Sequence, residues 1–253
     1  MTTMLEELDE LFAFEIDTEI IGKDSRVAVG KKTGEAPFRY ICSLEYDKRR
    51  ATGVLIGPRT VLTAGHNVHD ITQGEKLRDP SHMMVIPGRN AKTHPPALPT
   101  SKAVTFIPYP GYARGTRTDL AIVHLEKALG ATYGYWSRTY KSRPYDPIGT
   151  SILRGSLPLP AGTLKVNLSG YPGDKGGVSQ WRAYDITVSR ANGLLRYLDD
   201  TYRGHSGSPV WVRRSPDMGG RVLVGVHIGG NKKSNAAVFV DKDVLKFIIA
   251  NTK

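Results

Sequence analysis

A serine flanked by glycines carries the strongest chemical signal in this sequence. Residues 204–209 read Gly-His-Ser-Gly-Ser-Pro, which places Ser206 on a tight loop. Glycine adopts backbone conformations that other residues avoid, so Gly204 allows this loop to turn its amide groups inward. The amides of Gly204 and Ser206 could then form an oxyanion hole for a tetrahedral intermediate. Ser206 is therefore a candidate nucleophile for acyl transfer, with an ordinary loop serine as the alternative.

Two upstream residues are of the types that such a nucleophile needs. His66 follows a strand-like apolar run and the small residues 63–65, where it could act as a general base. Asp119 directly precedes the apolar run 120–123, and a carboxylate near a buried strand is costly unless it has a partner. An imidazole N–H is the obvious partner, and the pairing would hold His66 in the correct tautomer. Taken singly, these residues also fit a core histidine and a turn aspartate.

The order of the three residues narrows the type of enzyme. Along the chain the histidine comes first, the aspartate second and the serine last. This is the order found in chymotrypsin-like enzymes, and it differs from the orders of subtilisins and α/β-hydrolases. The three residues together, in this order and context, indicate a serine protease.

The elements that must position these residues are short strands. The chain of 253 residues can bury a substantial core, and its 27 Gly and 16 Pro are spread along it as turn residues. Alternating strands and turns in both halves predict an all-β fold of two antiparallel barrels of the six-stranded type. The predicted strands cover residues 38–45, 53–56, 61–64, 83–87, 104–107, 120–125, 164–169, 180–188, 194–198, 209–212, 221–227 and 236–240.

Four regions follow from this pattern. Residues 20–129 form the predicted first barrel, residues 130–150 the crossover, and residues 151–253 the second barrel, which ends in a helix over 242–249. The candidate site should therefore lie in the cleft between the barrels. Residues 1–19 form an acidic arm with a predicted short helix, whose apolar face carries Leu5, Leu8, Leu11 and Phe12.

The charge distribution bears on partners. The net charge is +11, but residues 1–19 hold seven acids and no bases, so the remainder carries +18. A basic body attracts acidic partners. No recognisable nucleic-acid-binding motif is present, so an acidic polypeptide substrate is the favoured partner and nucleic acid is not expected; a basic surface with no role beyond solubility is the alternative. No metal or cofactor is expected, and the protein is expected to be a monomer without a membrane span.

The N-terminus and the cysteine content bear on the compartment. The chain does not begin with the basic start and apolar stretch of a secretory signal. We therefore expect a cytoplasmic protein or export by a signal-independent route, unless a leader was removed. Cys42 is the single cysteine, so an intrachain disulfide cannot form, and its apolar setting predicts an inert core thiol.

Longer segments carry a family resemblance. They are residues 21–26 (IGKDSR), 56–61 (IGPRTV), 87–90 (PGRN), 169–175 (SGYPGDK), 180–181 (QW) and 200–202 (DTY). With these segments the chain, from about residue 20 to its end, resembles the glutamyl endopeptidases, a branch of the chymotrypsin-like proteases whose relatives include the exfoliative toxins. The resemblance implies that His66, Asp119 and Ser206 act as general base, orienting acid and nucleophile.

The same resemblance implies a pocket for a glutamate side chain. Family members bind this side chain with a histidine and a hydroxyl residue, which correspond here to His227 and Thr201. An imidazole and a hydroxyl can donate hydrogen bonds to a carboxylate. Asp200 offers an alternative, because it lies six residues before Ser206, where trypsin-like enzymes carry the aspartate that binds lysine or arginine. Glutamate is favoured because Thr201 and His227 occur together.

Three positions depart from the family pattern. Secreted relatives often place cysteines around the strand of the catalytic histidine, where this chain has Ala51 and Asn67, so that disulfide is absent. His205 stands where trypsin-like zymogens carry an aspartate that captures a newly freed N-terminus. That activation switch therefore cannot operate here in its usual form.

The N-terminal arm resembles a propeptide. In the family the mature α-amino group helps to bind the substrate carboxylate, and the alignment of the Ile-Gly segment puts the equivalent terminus near Glu19 or Ile20. Residues 1–18 would then be removed, which makes this chain a candidate zymogen. A packed structural helix is the alternative for this arm.

Two other functions remain open at this point. The chain could be a catalytically silent binding protein or toxin on a protease scaffold, although the three catalytic residue types argue against it. It could also be an esterase, since the acyl-transfer chemistry is shared.

Overall fold

The structure of this protein, a computed structural model, describes most of the chain. The described residues are 20–21, 23–47, 49–90, 99–136, 150–152, 164–198, 200–214, 220–231 and 234–253. The N-terminal arm with its predicted helix, and residues 137–149 of the predicted crossover, lie outside the described residues.

Strands dominate the described chain. Strands β1–β9 span Val27–Ala28, Ile41–Tyr46, Arg49–Gly57, Thr60–Thr63, His69–Asp70, Lys76–Leu77, Met83–Pro87, Ser101–Pro108 and Ala121–Leu125. Strands β10–β16 span Thr150–Ile152, Leu164–Gly170, Trp181–Ala191, Leu194–Tyr197, Pro209–Arg213, Arg221–Asn231 and Ser234–Phe239. The α-helices are α1, Leu129–Tyr133, and α2, Lys242–Asn251. Short 3-10 turns cover Gly30–Gly34, Phe38–Tyr40, Gly65–Asn67, Ile71–Gln73, Pro80–His82 and Gly173–Lys175.

Six strands of the first half form a closed barrel in the order β2-β3-β4-β9-β8-β7. Each neighbouring pair is antiparallel. Aliphatic side chains fill the barrel, and those of Val54, Leu62 and Ile122 have no exposed surface. Closure leaves no unpaired strand edge around the candidate histidine and aspartate.

Six strands of the second half form a ring in the order β12-β11-β14-β15-β16-β13, which the pairing of β12 with β13 closes. Strand β1 extends this sheet because it pairs antiparallel with β12, with Val27 opposite Arg182. Strand β10 adds a parallel pairing to β15. The N-terminal segment of the described chain is therefore part of the second sheet.

Aromatic residues connect the two halves. Trp136 is fully buried, its amide donates to the carbonyl of Leu55 at 2.9 Å, and its indole N–H donates to the carbonyl of Arg221 at 2.9 Å. The hydroxyl of Tyr171 donates to the carbonyl of Ile41 at 3.2 Å. These contacts fix the two halves against each other along the cleft.

The predicted all-β fold is confirmed, with local corrections. Residues 38–40 were predicted as the start of a strand but form a 3-10 turn, and β3 is much longer than the predicted strand 53–56. The predicted C-terminal helix is present as α2. Asp241 caps this helix by accepting hydrogen bonds from the amides of Asp243 and Val244 at 3.0 and 2.9 Å.

Candidate active site

The pairing of β4 with β9 brings the candidate histidine and aspartate together. Thr63, at the end of β4, lies opposite Ala121, at the start of β9. His66 follows β4 in the turn Gly65–Asn67, and Asp119 precedes β9. Both residues therefore emerge at the same end of the first barrel, which their distance along the chain does not suggest.

The carboxylate of Asp119 is fully buried and fully bonded. Its Oδ2 lies 2.8 Å from Nδ1 of His66 and accepts the amide of Gly115 at 2.8 Å, and its Oδ1 accepts the amide of His66 at 2.9 Å. Burial alone would favour the neutral carboxyl group. The charge of His66 and these hydrogen bonds outweigh it, so the pKa of Asp119 lies below its ordinary value.

An aromatic stack supports the turn that carries His66. The rings of His69 and Tyr112 lie parallel with centroids 3.9 Å apart, and Nδ1 of His69 lies 2.7 Å from the carbonyl oxygen of Gly65. A Cβ atom at position 65 would lie 2.6 Å from the Tyr112 ring. Glycine is therefore required at position 65 for this packing, which sets the direction in which His66 leaves the turn.

The first barrel also holds the backbone of Ser206. The Ser206 carbonyl accepts hydrogen bonds from the amide of Thr52 and from the side-chain amide of Asn67, both at 2.9 Å. Gly207 has a φ of +88°, and a Cβ atom there would collide with the Thr52 carbonyl and the Thr63 hydroxyl. Ser206 is thus anchored to the residue that follows His66.

The structure leaves Nε2 of His66 available. This nitrogen is buried and has no hydrogen-bond partner among the described residues. No hydrogen bond between it and Ser206 is formed in this structure, a common state of catalytic pairs before substrate binds. Because Nδ1 faces Asp119, Nε2 is the ring atom on which a proton can be accepted.

Two amides of the nucleophile loop are oriented by the carbonyls on the other side of their peptide planes. The Arg203 carbonyl accepts the amide of Gly173 at 2.6 Å, and the His205 carbonyl accepts the amide of Ser208 at 2.8 Å. In a trans peptide the N–H points away from the C=O. The amides of Gly204 and Ser206 therefore face the opposite side, and neither has an acceptor within the described part of the chain.

The intervening peptide is held as well. The Gly204 carbonyl accepts the hydroxyl of Thr52 at 2.7 Å, and the amide of His205 donates to the Tyr202 carbonyl at 2.9 Å. Gly204 has a φ of +101°, and a Cβ atom there would collide with the Tyr171 carbonyl. Glycine is therefore required for this path of the loop.

His227 lies in the fully buried interior beside the loop. Its Nδ1 is hydrogen-bonded to the hydroxyl of Tyr197, and its Nε2 has no hydrogen-bond partner among the described residues. Burial, followed by the charge of His66, lowers the pKa of His227 to about 3. The ring is therefore neutral, with one nitrogen bonded and one available.

Thr201 is also fully buried, and its hydroxyl donates to the side-chain oxygen of Asn235 at 2.7 Å. Asn235 lies in β16, which pairs with β15, the strand that carries His227. Thr201 is thus bonded to the strand that pairs with the strand of His227.

Asp200 faces the N-terminal segment. It is 2% exposed, its Oδ1 accepts the amide of Ile21 at 2.6 Å, and its Oδ2 accepts the amide and the hydroxyl of Ser25 at 2.6 and 3.0 Å. Both carboxylate oxygens therefore bond to residues 21–25. The trypsin-like alternative needs this carboxylate for a basic substrate side chain, and the geometry does not support that use.

An ionic cluster holds the same N-terminal segment on the second sheet. The guanidinium of Arg26 is fully buried and lies 2.9 Å from Asp24 and 3.0 Å from Asp174. Lys175 lies 3.0 Å from Asp24. Asp174 and Lys175 belong to the turn Gly173–Lys175, whose first residue bonds to the Arg203 carbonyl. The segment is thus linked through this turn to the nucleophile loop.

Most of the residues that support the predicted site residues were not predicted. Thr52 bonds to Gly204 and Tyr197 to His227, although no residue pattern marks either of them. Gly173 bonds to the carbonyl of Arg203, next to Gly204. Gly173 lies in the family-like segment 169–175, which was the available signal.

A family comparison agrees with this geometry. A model of the Trypsin family matches residues 27–248. The chain belongs to the trypsin family. The match includes the histidine, the aspartate and the serine whose positions are described above, and both barrels.

Two relatives of this trypsin-family chain narrow the resemblance. The glutamyl endopeptidase of Bacillus licheniformis is 33% identical over 213 residues, which are 83% of this chain and 61% of that protein. A protein of Bacillus subtilis named an extracellular metalloprotease is 28% identical over 240 residues, 91% of this chain and 69% of that protein. This chain therefore spans less than two thirds of the length of the first relative.

A solved structure of a Glu endopeptidase also aligns with this trypsin-family chain. The structure of a Glu endopeptidase in complex with MPD aligns with a TM-score of 0.71 at 28% identity, over 91% of this chain and 98% of that chain. The expected resemblance to glutamyl endopeptidases is confirmed.

The described residues contain no cluster of three or more His, Cys, Asp or Glu side chains that could hold a metal ion. Within the same residues, no helix has the length and apolar character needed to cross a membrane.

Proposed function

We propose that this protein is a serine endopeptidase that cleaves peptide bonds after glutamate. Oγ of Ser206 attacks the scissile carbonyl carbon while Nε2 of His66 takes its proton. Asp119 holds the ring and stabilises the imidazolium. The amides of Gly204 and Ser206 bind the oxyanion. His66 then gives the proton to the leaving amine. In the second half of the reaction a water molecule attacks the acyl-enzyme while His66 takes its proton, and His66 returns this proton to Oγ of Ser206 as the product acid leaves.

One observation carries this proposal. Among the described residues, one ring nitrogen of His66 is bonded to a buried carboxylate and the other has no partner, and two amides of the nucleophile loop have no acceptor. Polar groups at buried or half-buried positions are costly in an ordinary loop when they have no partner. A transition state that brings a proton to Nε2 and an oxyanion to the two amides would satisfy all three groups.

A fluorophosphonate probe tests the nucleophile. The wild-type protein should be labelled at Ser206, and the matched Ser206→Ala and Ser208→Ala variants should give no labelling and normal labelling, respectively. The name of the Bacillus subtilis relative suggests a metal-dependent reaction, so peptide hydrolysis is measured with and without a chelator, and we expect equal rates. If the folded wild-type protein is not labelled, the chain is a binding scaffold. If it is labelled and hydrolyses esters but not peptides, it is an esterase.

The glutamate preference rests on His227, Thr201 and Asp200. With the Tyr197 hydroxyl as donor to Nδ1, the neutral ring of His227 carries its proton on Nε2 and can donate it to a carboxylate. Rotation of the Asn235 amide would present its NH2 group to Thr201 and release the threonine hydroxyl for the same carboxylate. Asp200 is bonded to backbone amides, so its charge is compensated and it does not serve a basic substrate.

Removal of the N-terminal arm is proposed as the activation step. Cleavage after Glu19 would create an α-ammonium group at Ile20, whose neighbour Ile21 donates its amide to Asp200. Asp200 directly precedes Thr201 of the pocket, so the new charge would lie close to the bound glutamate side chain. In this respect the chain is a zymogen that can process itself, because Glu15 and Glu19 are of the residue type that the pocket accepts.

Acidic polypeptides are the proposed substrates. The proposed oligomeric state is a monomer. The +18 charge of residues 20–253 favours approach of acidic segments, an effect that added salt weakens. A value of kcat/KM for an acidic substrate that falls with salt, while that for a neutral one does not, would support this steering. Sedimentation of the folded protein measures the oligomeric state.

A further inference from the structure

His205 directly precedes Ser206, and the proposed mechanism gives its side chain no role. The ring is fully buried and meets the ring of His227 edge to face, with centroids 6.4 Å apart. A Cβ atom at Gly170 would lie 2.9 Å from the His205 ring, so this side of the ring is closely packed. A large polar side chain at such a position needs a reason, because burial without compensation is costly.

Within the described part of the chain, the ring of His205 forms one hydrogen bond, and this bond closes the loop on itself. Nδ1 accepts the amide of Tyr202 at 3.1 Å, while the amide of His205 donates to the Tyr202 carbonyl at 2.9 Å. Tyr202 and His205 are thus joined twice, once by backbone and once by the side chain. Gly204, which supplies one oxyanion amide, lies within the closed ring.

The bonded amide also belongs to the specificity pocket. The N–H of Tyr202 is part of the peptide that leaves Thr201, so the ring of His205 fixes the orientation of this peptide plane. The His205 carbonyl in turn accepts the amide of Ser208, which directs the Ser206 amide to the other side. His205 therefore orients two peptide groups: its ring holds the peptide between Thr201 and Tyr202, and its carbonyl belongs to the peptide that carries the Ser206 amide.

Only a neutral ring can accept at Nδ1. Burial, followed by the charges of His227 and Arg26, lowers the pKa of His205 well below its ordinary value, and Asp24 opposes this in part. The proton of the neutral ring then lies on Nε2, which has no hydrogen-bond partner among the described residues. The buried Nε2–H group is thus left without an acceptor in the described residues, while the hydrogen bond at Nδ1 is formed.

We propose that His205 is a positioning residue whose Nδ1 locks residues 202–206 in the oxyanion-binding conformation. This inference rests on the proposed function, since it assigns the lock to the loop that carries the nucleophile. The lock is local to the loop, and it stands where trypsin-like zymogens use a distant N-terminus. The oxyanion amides are therefore in place whether or not the N-terminal arm has been removed.

Two isosteric variants test which ring nitrogen matters. The side-chain oxygen of Asn in His205→Asn can take the place of Nδ1, whereas the amide of Gln in His205→Gln reaches the place of Nε2 and cannot accept from Tyr202. We expect kcat of His205→Gln to fall by about 100-fold with a smaller change in KM, since small misplacements of catalytic groups cost rates of this order. His205→Asn should recover most of the loss. Equal loss in both variants, or loss in neither, would overturn the lock.

A measurement without activity separates this inference from the proposed function. Nitrogen NMR of the histidine rings in Ser206→Ala protein at neutral pH should show His205 with a proton on Nε2 and none on Nδ1. A proton on Nδ1 would refute the lock even if the enzyme is active. A wild-type protein without peptidase or labelling activity would refute the proposed function, and the ring spectrum would still decide the role of Nδ1 in the loop.

Discussion

The two barrels hold their parts of the site in different ways. In the first barrel every hydrogen bond to the Asp119 carboxylate comes from the same barrel, namely from His66 and from the amide of Gly115. The pairing of β4 with β9 places both residues at one end of a closed barrel. This half of the site is therefore complete within one folding unit.

The nucleophile loop of the second barrel depends on other parts of the chain. Thr52 and Asn67 of the first barrel bond to the carbonyls of Gly204 and Ser206, and the turn that begins at Gly173 bonds to the carbonyl of Arg203. Residues 21–25 of the N-terminal segment bond to Asp200, just before the pocket. Changes outside the second barrel should thus reach the loop and the pocket, whereas the His66–Asp119 pair should be insensitive to changes outside the first barrel.

Replacing the orienting acid should have the largest effect, because it breaks the self-contained half directly. In Asp119→Asn the side-chain NH2 group would donate to Nδ1 of His66, which leaves the ring proton on Nε2. Nε2 could then not accept the proton of Ser206, and we expect kcat to fall about 10⁴-fold. Asp79→Asn is a matched control, since Asp79 only caps the turn Pro80–His82 at an exposed site. Steady-state kinetics of both variants checks this. A loss in Asp119→Asn of less than tenfold would contradict the assigned role.

A first-barrel substitution should damage the second-barrel loop. The Thr52 hydroxyl donates to the Gly204 carbonyl and accepts the amide of Tyr171 at 3.0 Å. Thr52→Val removes both bonds at nearly constant volume, so kcat should fall by about 100-fold through misplacement of the Gly204 amide. Thr52→Ser keeps the hydroxyl and should stay close to wild type. If Val and Ser behave alike, the loop does not depend on this contact.

Removing the N-terminal arm should have the smallest effect and should act at the pocket. A form that begins at Ile20 is compared with the full chain by kcat/KM on a glutamyl peptide and on a matched glutaminyl peptide, and by melting temperature. We expect a gain on the order of tenfold for the glutamyl peptide, typical of coupling between two sites, and a smaller gain for the other. Equal activity of the two forms with a lower melting temperature of the trimmed form would make the arm a structural helix.

The fold was predictable from the sequence to a large extent because buried barrel strands leave clear apolar runs. The strand Met83–Pro87 was predicted at both ends, and the C-terminal helix within two residues. Strand β1 was missed, since Val27–Ala28 is too short to show a pattern and forms only by pairing with β12. The turn at Phe38–Tyr40 was missed because its buried aromatic residues look like those of a strand.

The site was predictable in its side chains but not in its connections. His66, Asp119 and Ser206 could be chosen because charged or nucleophilic residues at strand ends are chemically distinctive. The partners of Asp200 could not be predicted, because the resemblance places the N-terminus near the pocket but does not show that Ile21 and Ser25 bond to this carboxylate. Its carboxylate therefore looked like a substrate-binding group, whereas the structure bonds it to backbone amides.

A cleavage-site profile distinguishes a pocket for glutamate from a pocket for a basic side chain. A peptide library is digested with wild-type protein and with His227→Ala, and the residue before each cleaved bond is identified. We expect glutamate at this position for the wild type. In His227→Ala the preference for glutamate over glutamine should weaken by about 2–5 kcal/mol, the usual loss when a buried charge loses one donor. A wild-type profile dominated by arginine and lysine would contradict the account and give the pocket to Asp200.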